Sequence, residues 1–143
     1  MLHEILIISL FVLFSIVIAI MDIKAGMIPR LAFVFAFPLF SALVFFEAPC
    51  SPAKAFAGAM LGLFVFLLAF FISKRKLGLA DVWYSALTGL VLGPSWWYLA
   101  MCCACISAIV ILLILKRCQI PFIPFMALGS IVMIIIQKRI IFF

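Results

Sequence analysis

The chain has 143 residues, of which 71% are hydrophobic and 10% charged, and its mean hydropathy is +1.56. Soluble domains carry roughly a quarter of their residues as charges, so a water-soluble globule is excluded and a membrane protein is implied. The net charge of +6 does not point to nucleic acid, because the basic residues fall in clusters between apolar runs, where they orient spans and meet anionic lipid.

Taken in chain order, apolar runs separated by charge or by Gly and Pro predict about six spans, over residues 2–21, 31–47, 54–72, 81–93, 96–115 and 121–136. The expected fold is all-α, a polytopic membrane helix bundle with about six transmembrane helices, forming one domain over residues 1–143. A span needs roughly 20 apolar residues, which leaves no length for a separate soluble module and puts any chemistry on the spans or their short connections. The first run opens with Met1, Leu2, His3 and Glu4, without a basic leader or a small-residue cleavage site, and reads as a retained helix. The fourth run, Asp81 to Gly93, is short for a full crossing at 1.5 Å per residue. Pro38 is expected to kink the second span, and Pro124 to kink the last one locally. Pro29 and Pro121 read as helix-initiating residues just inside the starts of spans, and Gly58 with Gly62 as a helix-packing pair.

Alternating connections collect Lys24, Arg30, Lys74, Arg75, Lys76, Lys116 and Arg117 on one side, leaving Lys54, Lys138 and Arg139 on the other. The positive-inside rule makes the first side cytoplasmic, and Trp96, Trp97 and Tyr98 then lie at the outer interface. The five cysteines, at 50, 102, 103, 105 and 118, read as small apolar residues within helices. No metal or cofactor site is predicted.

Four acidic residues are present. The expected topology puts Glu4 and Glu47 on the outer side, and Asp22 and Asp81 on the cytoplasmic side, at the end of the first span and the start of the fourth. Taken singly, each aspartate has an ordinary explanation: Asp81 suits a helix N-terminus, and Asp22 could pair with Lys24 or Lys76. Taken together they offer chemistry, because two nearby carboxyls can share one proton. The ionised member can draw a proton from water while the neutral member hydrogen-bonds to a peptide carbonyl, so the pair acts as base and electrophile without a metal. His3 is the single histidine and lies across the membrane from both, so a Ser/His or Cys/His nucleophile lacks its base.

The stretch Asp22-Ile23-Lys24-Ala25-Gly26-Met27-Ile28-Pro29 resembles the prepilin peptidase pattern of a span-ending aspartate followed by Ile-Pro. Gly78-Leu79-Ala80-Asp81 resembles the Gly-x-Gly-Asp motif bearing that family's second catalytic aspartate. Ile120-Pro121-Phe122-Ile123-Pro124-Phe125 is similar to the Ile-Pro-Phe-Gly-Pro-Phe stretch that opens its last span. The resemblance covers nearly the whole chain. It implies an intramembrane aspartic endopeptidase of the bacterial inner membrane that removes the basic leader from type IV prepilins or pseudopilins at the cytoplasmic face. Asp22 and Asp81 would be its catalytic pair, and Ile28, Pro29, Gly78, Ala80, Pro121 and Pro124 supporting motif positions. The implied partners are a prepilin or pseudopilin substrate and membrane lipid. The chain resembles the short, peptidase-only form found in tight-adherence (Flp-type) pilus systems, without the cysteine-bearing insertion of larger members.

Three positions depart from the pattern: Ala80 replaces the motif's second glycine, Trp83 stands where a lysine commonly follows, and Arg30 replaces an Asn after Ile-Pro. A glycine at position 80 would permit φ > 0 or a close backbone approach, and Ala80 would resist the first and crowd the second. Two alternatives therefore remain at this stage: a catalytically impaired relative that binds prepilins or pilus-assembly components, and a proton-coupled transporter. The transporter would call for aspartates deeper in the spans and a polar path between them.

Overall fold

A computed structural model describes residues 2–25, 28–47, 51–74, 77–115 and 121–142. Among these the chain is all-helical, in the order α1 (Leu2–Ala25), α2 (Arg30–Glu47), α3 (Pro52–Ile72), α4 (Leu79–Leu115) and α5 (Ile123–Phe142). Three stretches are long and apolar enough to cross a membrane, Ile5–Lys24, Pro52–Ile72 and Leu79–Leu115, and Leu31–Phe45 is a shorter apolar helix. Many large apolar side chains face outward, Phe35 and Phe45 among them, as lipid-facing surfaces require and water-facing ones do not tolerate in such number.

Local chemistry sets the helix ends. Pro52 opens α3 directly after Ser51, where its missing N–H has no intrahelical acceptor to lose. The helix stops at Ser73 and Lys74. Lys74 takes φ 52°, and the Ser73 and Lys74 N–H groups donate back to Ala69 and Phe71, which satisfies carbonyls the last turn would otherwise leave open.

The fourth and fifth predicted runs form one assigned helix, α4, broken at Gly93, where φ is 75° and ψ 172°. Glycine adopts that backbone without a Cβ penalty, and Pro94 follows it. The break is a fold-back. In a continuous helix residues 85 and 97 would lie about 18 Å apart along the axis, beyond the reach of an indole, yet Trp97 Nε1–H donates to Ser85 Oγ at 3.1 Å.

The first arm of α4 lies antiparallel to α3, because Gly58 meets Gly89 while Gly62 meets Ser85. A Cβ on Gly58 or Gly89 would run into the other's backbone carbonyl, so the pattern read as helix packing does bring two backbones into contact. Ser85 Oγ also donates to the Gly62 carbonyl at 3.2 Å. On the far arm, Gly129 of α5 faces the Ala100 carbonyl.

Several predicted details move. Pro29 precedes α2 and supplies its carbonyl to the Ala32 N–H at 3.0 Å, so it stands before the helix, not inside it. Pro121 likewise precedes α5, whose first residue is Ile123. Pro124 is then the second residue of α5, within the first turn where a missing N–H costs no hydrogen bond, and no kink follows from it. Pro38, the residue expected to kink the second span, lies inside α2, which continues on both sides of it.

Candidate active site

Asp22 sits in the last turn of α1, a helix that extends to Ala25 and so holds the aspartate within its length. Asp81 is the third residue of α4. Its Oδ2 accepts the Gly78 N–H at 3.1 Å, and its own N–H donates to the Gly78 carbonyl at 3.1 Å. This is the reciprocal half of a capping box, in which an acid at the third helical position reaches back to the residue before the helix. The carboxylate is thereby fixed in orientation, and it is buried at 7% exposure. A Cβ on Gly78 would stand 3.1 Å from Asp81 Oδ2, so a side chain there would press on the carboxyl.

The structure brings the two carboxyls near enough for their charges to act on one another. The backbone N–H of Ile123, the first residue of α5, also acts on the Asp22 carboxyl. Helix N-termini present free N–H groups and a positive dipole end, so α5 offers a natural seat for an anionic group. The C-terminal end of α1 and the N-terminal ends of α4 and α5 thus converge, and they carry the three stretches singled out in the sequence.

The supporting residues divide. Gly78 touches the site directly. Phe122 accepts the N–H groups of Phe125 and Met126 at 3.1 and 3.2 Å, and with Pro121 and Pro124 it builds the turn that presents the Ile123 N–H. Ile28 is half-buried against the core and Pro29 is exposed; they shape the connection from α1 to α2. Gly26, Met27, Lys76 and Ile120 lie outside the described residues, as do the Arg30 side chain, Cys50 and Cys118.

Ala80 does not stand in a glycine-type conformation. It is the second residue of α4, and Lys74 is the one non-glycine residue with positive φ among those described. Its half-buried methyl packs against the core, so the expected resistance to a positive φ does not arise. Trp83 points to a different face, where its ring meets Phe37 of α2 edge-on at 5.7 Å; its departure from the motif falls outside the carboxyl pair.

Sequence reasoning missed a second set of groups. Ser15, Tyr84, Thr88 and Ser130 are all fully buried, Ser15 on the helix of Asp22, Tyr84 and Thr88 on that of Asp81, and Ser130 on α5. Ser15 lies seven residues before Asp22 and Tyr84 three after Asp81, spacings that return to the same side of a helix, but spacing alone does not say whether that side meets lipid or another helix.

A family model for the type IV leader peptidase family matches residues 9–113. No curated protein and no solved structure matches the chain.

Proposed function

This chain belongs to the type IV leader peptidase family, and from that premise we propose that it is an intramembrane aspartic endopeptidase cutting the basic leader from type IV prepilins or pseudopilins at the cytoplasmic face. The observation that carries the reading is the meeting of Asp22 and Asp81, the chain's two aspartates, from separate helices at the N-terminus of α5. On this reading the two carboxyls, whose charges act on one another, share one proton. The ionised member takes a proton from a water, whose oxygen attacks the scissile carbonyl carbon. The protonated member hydrogen-bonds to the carbonyl oxygen as charge develops there. Collapse of the tetrahedral intermediate expels the amine, which takes up a proton from the pair.

The basic loops support a cytoplasmic placement of this end of the bundle, and an apolar substrate segment would lie among the helices while its leader rests at the lipid surface. The reading as an impaired relative rested on Ala80; the helical backbone at that residue answers the expected resistance to a positive φ, and the expected crowding of a substrate backbone remains the ground for that second reading.

The test is coexpression with a candidate prepilin, comparing wild type with Asp22→Asn and Asp81→Asn. Mature pilin should form with the wild type, and cleavage should fall by a thousandfold or more, on the order seen when one member of a catalytic unit is removed. Wild-type cleavage by either Asn variant would end the aspartic mechanism.

A further inference from the structure

The helices bearing the two aspartates scarcely touch through their backbones. Among the described residues α1 rests chiefly on α5, and α4 rests on α3 and α5. Between α1 and α4 the link is a side chain: the Tyr84 hydroxyl donates to Ser15 Oγ at 2.8 Å, and the Tyr84 ring stacks on Phe11 of α1 with centroids 6.4 Å apart.

The surroundings direct that donor. Thr88 and Ser130 lie near the same hydroxyl, but their own protons go to carbonyls of their own helices, Thr88 to Tyr84 at 2.8 Å and Ser130 to Met126 at 2.6 Å. Ser15 is left to receive the phenol. The arrangement repeats the layer above it: Ser15 shares the face of α1 that holds Asp22, Tyr84 follows Asp81 by one turn, and Ser130 follows by two turns the Ile123 N–H that acts on Asp22. In lipid, apolar helix faces gain little by choosing one another over acyl chains, so packing and interhelical hydrogen bonds set rotation and register.

We propose that Tyr84 is a positioning residue, its hydroxyl tying α1 to α4 through Ser15 so that Asp22 and Asp81 stay face to face. The catalytic consequence rests on the peptidase reading; the geometric one does not.

The experiment has two readouts on purified, detergent-solubilised full-length protein. Tyr84→Phe keeps the ring and deletes the bond. Its kcat for prepilin cleavage should fall by roughly tenfold or more, as displacements of about 1 Å do, with KM held and the thermal melting midpoint close to wild type. Independently, Asp22→Cys/Asp81→Cys should form an oxidative cross-link between positions 22 and 81, identified by mass spectrometry, and adding Tyr84→Phe should lower its yield severalfold. Ser15→Ala should act in the same direction, and the Tyr84→Phe/Ser15→Ala double variant should be no worse than the stronger single one. Undiminished cross-linking in Tyr84→Phe overturns the proposal, as does a kcat that is unchanged or falls only in step with the amount of folded protein. Should the Asn variants of the aspartates cleave normally, the aspartic mechanism fails and the cross-link alone decides the role of Tyr84.

Discussion

Helix α4 meets its two flanks by opposite means. Against α3 it lies backbone to backbone, with Gly58 and Gly89 leaving no room for a side chain. Toward α1 the backbones stand apart and a tyrosine bridges the gap. The first joint is set by what is missing from the residues, the second by what one residue carries. Asp81 rides on the helix of the close-packed joint and is oriented by its own capping turn at Gly78, and Asp22 faces it across the bridged one. A two-carboxyl centre built this way has one fixed partner and one that can be moved by small changes in helix rotation.

Substitutions on the α3 side should sort by how far they force that seam open. Gly89→Leu should have the largest effect, at about 3 kcal/mol or outright loss of folded protein, since overpacking into backbone cannot be relieved by a rotamer change; thermal melting in detergent measures it, and a wild-type midpoint would break the contrast between the flanks. Ser85→Ala comes next. It strips the acceptor from the buried Trp97 N–H and the donor from the Gly62 carbonyl, and an orphaned buried donor costs about 1 to 3 kcal/mol; a shifted tryptophan emission should accompany the lower midpoint. Ala80→Gly should be smallest, at about 0.5 to 1 kcal/mol of lost helix stability, with cleavage no faster than wild type. Cleavage that appears only in Ala80→Gly would show that position 80 needs a glycine for reasons its helical backbone does not reveal.

The helical class and the two aspartates were legible because hydropathy and scarcity are local signals: one can read twenty apolar residues, or two aspartates among 143 residues, without knowing what they touch. The contact between Gly58 and Gly89 was half legible, as a small-residue spacing with no named partner. Ser15, Tyr84 and Ser130 stayed hidden since a hydroxyl in an apolar run looks the same whether it faces lipid or another helix. Ala80 misled for a related reason. A motif glycine suggests unusual backbone, but Asp81 reaches back to Gly78 and starts the helix at Leu79, which puts position 80 inside it. The Gly93-Pro94 interruption could be placed from the sequence, whereas its fold-back depends on Trp97 finding Ser85 across space.

The turn at Gly93 also sets a length. From Leu79 to Leu92 the first arm of α4 measures about 21 Å at 1.5 Å per residue, against a hydrocarbon layer of about 30 Å. From Asp81 to Leu92 every residue of this arm except Trp83 is buried, so its shortness is met by neighbouring helices and not by lipid. Walled in this way and stopping short of the layer's full depth, the arm sets Asp81 below the level a longer helix would reach, and a hydrolytic centre there would be wetted from that end with no pore running through the bundle.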